Sequence, residues 1–253
     1  MLYIWHFVEC ILKIRQWSLY KRIKMKRMIL KRIFLLAIGC MLLGTAKAQH
    51  QALFDEYLRE VGDRSELFIG KMEPGYSSAV YKNHPYWFEE DFLRGEVMYK
   101  GLLYRDVLLR YDVFLKQLVV KTPVKQSNVN VPMHEVESFT MGETAFTAHE
   151  GEFMAVLYDG SRVRLLERMR INLKEDTEQT KVQYEFKRQM NFFVLHDGKM
   201  TEVGKMRSVL KQFPELEKEL KRYAKMNRLN FRENRKSSLM SILKYVDELL
   251  VNP

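Results

Sequence analysis

Glu89-Glu90-Asp91 sets three carboxylates in a row directly after the aromatic run Asn83-His84-Pro85-Tyr86-Trp87-Phe88. Carboxyl groups held close together push one another's pKa upward, which is how an acid/base pair arises. An aromatic cleft holding two such groups is the equipment of glycan hydrolysis. Glu89, Glu90 and Asp91 are therefore the candidate catalytic acids of a hydrolase. Neighbours in a chain seldom point into one site, so the same stretch also reads as a solvated acidic turn ahead of a strand. The expectation leans toward no enzyme. The aromatics have two readings as well. Tyr76, Tyr86, Trp87 and Phe88 could form a binding surface, since Tyr and Trp bury apolar area while keeping a polar tip, or they could pack the core beneath a long loop.

Other chemistries need spacings that this chain lacks. It contains no P-loop, no HExxH, no G-x-G-x-x-G and no G-x-S-x-G. Gly75-Tyr76-Ser77-Ser78-Ala79 is one residue from the last pattern, but it follows a Pro-Gly turn instead of a strand and reads as a loop. His50, His84, His134, His149 and His196 share no metal-ligand spacing. No metal and no cofactor are expected. The segment 205–253 holds twelve Lys/Arg against six acids. Within it Lys221, Arg222, Lys225 and Arg228 form the candidate cationic binding surface, suited to anionic lipid headgroups or an acidic partner. Interleaved Glu215, Glu217 and Glu219 favour ordinary ion pairs along a helix face instead.

Charge has to be read together with Met25 to Gln49, MKRMILKRIFLLAIGCMLLGTAKAQ. Lys26, Arg27, Lys31 and Arg32 precede an apolar run from Ile33 to Leu43, and Ala46-Lys47-Ala48 has the small-x-small form of a cleavage site. That is the pattern of a secretory signal peptide, too short to span a bilayer. Residues 25–48 are the expected leader, with cleavage near Ala48-Gln49. Residues 1–24 read as a start-site artefact or leader extension, with Met25 as the expected start, or as an amphipathic segment on the membrane. Cys40 leaves lipoprotein processing as the alternative route. The formal charge of +10 belongs almost entirely to this region. From Gln49 onward 32 bases face 31 acids, so the usual argument from high pI to nucleic acid fails and no nucleic-acid partner is expected. Cys10 and Cys40 are the only cysteines, which leaves the mature chain without thiolate sites or disulfides.

The elements that must position any site follow from periodicity. Residues 49–61 place Leu53, Phe54, Tyr57, Leu58 and Val61 on one helical stripe, with Gly62 as a stop. Ser65 to Lys71 reads as a short strand and Glu73-Pro74-Gly75 as a turn. From Gly95 the period becomes two: VMY, Lys100-Gly101, LLY, then VLLRYDVFL and LVVK. Residues 122–130 read as a loop, and Val131 to Thr140 as a strand with Met141-Gly142-Glu143 as its turn. Asp159-Gly160 and Asp197-Gly198 each sit between apolar runs as two-residue hairpin turns. Arg162 to Leu173 and Val182 to Met190 supply further strands across the connector 174–181. After Gly204 the period lengthens to give three amphipathic helices, the second opened by Pro214. The fold class is α+β: an antiparallel, curled or barrel-like sheet of roughly seven to ten strands, with an N-terminal helix and two to three C-terminal helices. Residues 49–204 form the helix plus β-rich domain, and the basic helical region 205–253 packs on it.

Gly95, Val97, Tyr99, Gly101, Tyr104, Val107, Leu109, Tyr111 and Asp112 fit the form G-x-V-x-Y-x-G-x-x-Y-x-x-V-x-L-x-Y-D. From about His84 to the C-terminus the chain resembles a group of exported β-rich proteins of the Gram-negative cell envelope with no assigned activity. The resemblance implies a periplasmic or outer-membrane-associated location and a β-rich body. The expectation is a non-catalytic binding or scaffold module, with an envelope protein or small ligand as partner and peripheral membrane association open to it. The alternatives are a carboxylate-dependent glycan hydrolase and a hydrophobic-ligand carrier with a barrel cavity.

Overall fold

A computed structural model describes residues 51–176 and 183–251. The leader pattern, its cleavage site, residues 1–24 and both cysteines lie outside them. Residues up to Tyr57 belong to one unit and those from Leu58 to another. The described part of the first, 51–57, is helical, with Gln51 Nε2 donating to Asp55 Oδ1 at 2.8 Å and the Phe54 ring stacked on Tyr57. This helix, α1, runs on to residue 61.

Eleven strands follow. The first five are β1 (Lys71–Met72), β2 (Leu93–Tyr99), β3 (Leu102–Asp112), β4 (Gln117–Lys121) and β5 (Asn128–Val131). The next six are β6 (Val136–Met141), β7 (Thr144–His149), β8 (Glu152–Asp159), β9 (Val163–Asp176), β10 (Gln183–His196) and β11 (Lys199–Val203). They form one open antiparallel sheet in the order β1-β5-β4-β3-β2-β6-β7-β8-β9-β10-β11. β2 is the pivot: hairpins run outward from it on one side through β3, β4 and β5, and on the other through β6 to β11. The count exceeds the expected range because residues 128–130, patterned as loop, pair with both β4 and β1. The expected strand at Ser65 to Lys71 is a 3-10 turn at Glu66–Phe68 followed by the two-residue β1. Val131 to Thr140 is broken by a second such turn at Met133–Glu135.

The alternation in the sequence is the alternation of burial. Val97, Tyr99, Tyr104, Leu109 and Tyr111 are all buried, and directly opposed residues share a face. Val97 opposes Phe139, Phe139 opposes Phe146, and Phe146 opposes Ala155. Rings pack along this face, with Phe139 stacked on Phe146 at 4.4 Å and Trp87 edge-on to Phe146 at 5.0 Å. Gly95 sits where β2 passes close against β6. A Cβ there would lie 1.9 Å from the Thr140 carbonyl oxygen.

Two-residue turns close several hairpins. Asp197-Gly198 takes φ values of 47° and 72° between paired His196 and Lys199, the mirror-image turn that matches strand twist. Lys100-Gly101 and Glu150-Gly151 do the same. Asp159-Gly160 does not. Asp159 is still paired, to Arg164, and residues 160–163 make a wider turn. The cause is tertiary: the Asp247 carboxylate fills the turn. Its oxygens accept N–H bonds from Ser161 (3.0 Å), Arg162 (2.7 Å) and Val163 (3.0 Å), and the Tyr158 hydroxyl at 3.0 Å. A Cβ on Gly160 would fall 2.5 Å from Asp247 Oδ2, so only glycine leaves room for the clasp.

Asp247 lies on the last of three C-terminal helices, α2 (Met206–Gln212), α3 (Glu217–Met226) and α4 (Arg235–Val251). Pro214 opens a 3-10 turn ahead of α3. Leu239, Ile242, Leu243 and Val246 of α4 are fully buried against Val163, Leu165, Phe192 and Val194 of the sheet, together with Val209, Phe213 and Leu220. Glu167, buried in β9, receives Lys236 Nζ at 2.8 Å. One polar contact near each end thus fixes the register of α4 on β9.

Candidate binding site

The segment 73–92 crosses the end of β3, and most of its aromatics are consumed in holding it there. Tyr86 and Trp87 are buried. The Tyr86 hydroxyl donates to Glu73 Oε1 at 2.8 Å, and the Trp87 N–H to the Tyr111 carbonyl at 2.9 Å. Half-buried Tyr76 donates to Asp112 Oδ2 at 2.6 Å and packs against Phe186. Arg110 seals the arrangement, lying 3.9 Å over the Tyr86 ring and donating to Glu73 at 2.5 Å. Burial, followed by the hydrogen bond to a carboxylate, pushes both phenols far above their usual range. Burial likewise raises the Asp112 carboxyl, against the Leu115 and Tyr76 hydrogen bonds that lower it. Phe88 is the exception among the four aromatics, exposed at a backbone φ of 49°.

Glu89, Glu90 and Asp91 are all exposed. The Glu90 carbonyl, not its carboxylate, accepts Arg110 at 2.8 Å. Lys221, Arg222, Lys225 and Arg228 are exposed on α3 and the turn after it. Lys221 pairs with Glu217 one turn away. Among the described residues no group of three or more His, Cys, Asp or Glu could hold a metal, and no helix is long and apolar enough to cross a membrane.

The structure brings together a different set. The β3–β4 turn delivers Lys116, β8 opens with Glu152, and β9 carries Arg168 and Arg170 two residues apart on one side of the strand. Lys116 Nζ lies 2.7 Å from Glu152 Oε1, while Arg168 and Arg170 stand 3.7 and 3.6 Å from Oε2. Three cations thus face one carboxylate. The Lys116 hydrogen bond foremost, then the charges of Lys116, Arg170 and Arg168, hold Glu152 below the usual range despite partial burial. Arg168 stacks 4.4 Å over Phe193 and is largely buried, its Nε without a hydrogen-bond partner. Neither arginine is within hydrogen-bond range of Glu152, so their N–H donors remain available to an incoming anion.

These residues line a cleft of about 300 Å³, with Tyr111, Phe114, Phe153 and Ile171 as its apolar wall. A second cleft of about 370 Å³ adjoins it across Tyr111, Lys116 and Phe153, and reaches Met133 and His134. The polar set escapes motif reading because its members are scattered over a turn and two strands, with Lys116 36 residues ahead of Glu152 and both arginines on the next strand. The local signal is Arg168-Met169-Arg170, two cations at the strand period. No family model matches this chain, and neither the curated proteins nor the solved structures contain a significant match to it.

Proposed function

We propose that this protein is an exported, non-catalytic binding module of the cell envelope, and that the cationic cleft is its working surface. The observation that carries the reading is the convergence of Lys116, Arg168 and Arg170 on the single carboxylate of Glu152. An excess of positive charge beside an apolar wall suits a partner that presents carboxylates or phosphates on an apolar body. The leader pattern of residues 25–48 and the likeness to exported envelope proteins support the location. The hydrolase reading needs two carboxylates converging on a cleft; the two clefts described above hold one, and it is ion-paired to Lys116.

The test is in-cell crosslinking and affinity purification of the tagged protein, with mass spectrometry of its own N-terminus in the same sample. The expected result is a mature end at Gln49 and a reproducible envelope partner that disappears with Lys116→Glu and Arg170→Glu. An N-terminus at Met1 or Met25 overturns the export half. A partner retained by both variants overturns the cleft.

A further inference from the structure

β9 outruns its neighbour. The β8–β9 ladder ends at Ala155 opposite Glu167, yet β9 continues to Asp176, and from Arg168 onward it is paired, among the described residues, on the β10 side alone. The two strands form an arm with two edges. The β10 edge is covered by the segment 80–83: the Lys82 N–H donates to the Tyr184 carbonyl and the Tyr184 N–H to the Val80 carbonyl, both at 2.9 Å. The Asn83 amide bonds Phe186 N–H and carbonyl in the same way, at 2.8 and 2.9 Å. Among the described residues the β9 edge has no such cover, and its five consecutive residues Arg168–Asn172 line the 300 Å³ cleft.

We propose that this edge of β9 takes an extended acidic segment of a partner protein by strand addition. The proposal rests on the reading of the cleft as the working surface and specifies its occupant. Strand addition uses the row of unpaired N–H and C=O groups for affinity and alternate side chains for specificity. The alternation here is explicit. Arg168 and Arg170 point to one side, toward Glu152 and Lys116, while Met169 and Ile171 are buried on the other. An added strand therefore meets cations at every second residue and apolar surface at the residues between. Its matching pattern is carboxylate and apolar side chains in alternation, which excludes a basic or uniformly polar segment.

The experiment uses the full chain and the blocked hexapeptide Thr-Glu-Val-Glu-Val-Thr, followed by titration calorimetry. Saturable binding is expected. Replacing both glutamates of the peptide by lysine, or Arg170→Glu in the protein, is expected to weaken it at least about tenfold, as the loss of a charge-assisted contact predicts. Methylating alternate backbone nitrogens of the peptide removes strand donors while keeping its charge, and is expected to abolish binding. Absence of saturable binding to the folded protein overturns the proposal and leaves the β9 cations as guards against edge-to-edge aggregation. Binding that survives N-methylation overturns strand pairing. If the peptide fails while Lys116→Glu still removes the crosslinked partner, the cleft reading stands and the strand inference alone falls.

Discussion

At the residue scale, Asp247 shows how one side chain can override local turn chemistry. Its burial opposes ionisation, but hydrogen bonds from Arg162, Ser161, Tyr158 and Val163 together outweigh that and lower its pKa below 3.8. A carboxyl with a depressed folded-state pKa stabilises the fold fully above the unfolded value and loses that contribution as pH falls through the folded value. Asp247→Ala leaves the buried Val163 N–H and the Ser161 and Arg162 N–H groups without their carboxylate acceptor and is expected to cost about 3 kcal/mol, measured by urea unfolding at pH 7. For Asp247→Asn the gap in Tm from the parent protein should narrow between pH 7 and pH 3, as the parent's own carboxyl takes up a proton. A constant gap would contradict the assignment. Asp112 works with the opposite sign: its raised pKa makes ionisation a cost on folding, relieved as the solution is acidified. The glycines divide just as clearly. Gly95→Ala forces a Cβ into the Thr140 backbone and should cost about 3 kcal/mol. At Gly198, where an added Cβ meets nothing within 4 Å, only the positive φ is strained and the cost should be about 1 kcal/mol. Thermal melts of the two variants side by side check the order.

At the element scale, α4 covers a face of the sheet built by β9, β10 and β11. Ending the chain before Arg235 removes Leu239, Ile242, Leu243 and Val246 from the cluster that buries Val163, Leu165, Phe192 and Val194. The truncated protein is expected to bind a hydrophobic dye and to lose its cooperative melt; a sharp transition near the parent Tm would show that the helix is dispensable. Much at this scale was legible. The period-two pattern from Gly95 to Asp112 is the buried face of β2 and β3, and the helical stripes after Gly204 are the faces that pack. Local chemistry decides such features. The turn at Asp159-Gly160 was not legible, because Asp247 reshapes it through bonds to residues 84 and 85 positions away. β3 stops at Asp112 although the apolar alternation continues, since the Asp112 carboxylate accepts the Leu115 N–H at 2.8 Å and turns the chain. The cleft was illegible for the same reason: a turn and two strands supply it, and only the sheet register aligns them.

At the scale of the whole molecule, charge is distributed unevenly. Lys218, Arg222, Lys225 and Arg228 lie exposed around α3 and make no ion pair among the described residues, while Met226 is 73% exposed between them. Such a surface should adsorb weakly to anionic bilayers, at about 1 kcal/mol per cation near the surface. Cosedimentation with phosphatidylserine vesicles is expected at low salt and should be lost at 0.5 M; equal pelleting with neutral vesicles would refute it.

The order of the strands also sets how the chain can fold. Apart from β2 with β6 and β1 with β5, every sheet neighbour is a chain neighbour. Two zippers can therefore grow from β2 in opposite directions, and once β6 has paired with β2 each further hairpin step closes a short loop at little entropic cost. β1 can pair only after β5 is in place, and α4 can dock only on a finished β8–β9 turn. Substitutions at Val97 or Leu109 should slow refolding, whereas Met72 and Val246 variants should chiefly hasten unfolding. The protein then becomes committed to its fold in the middle and is locked from its two ends.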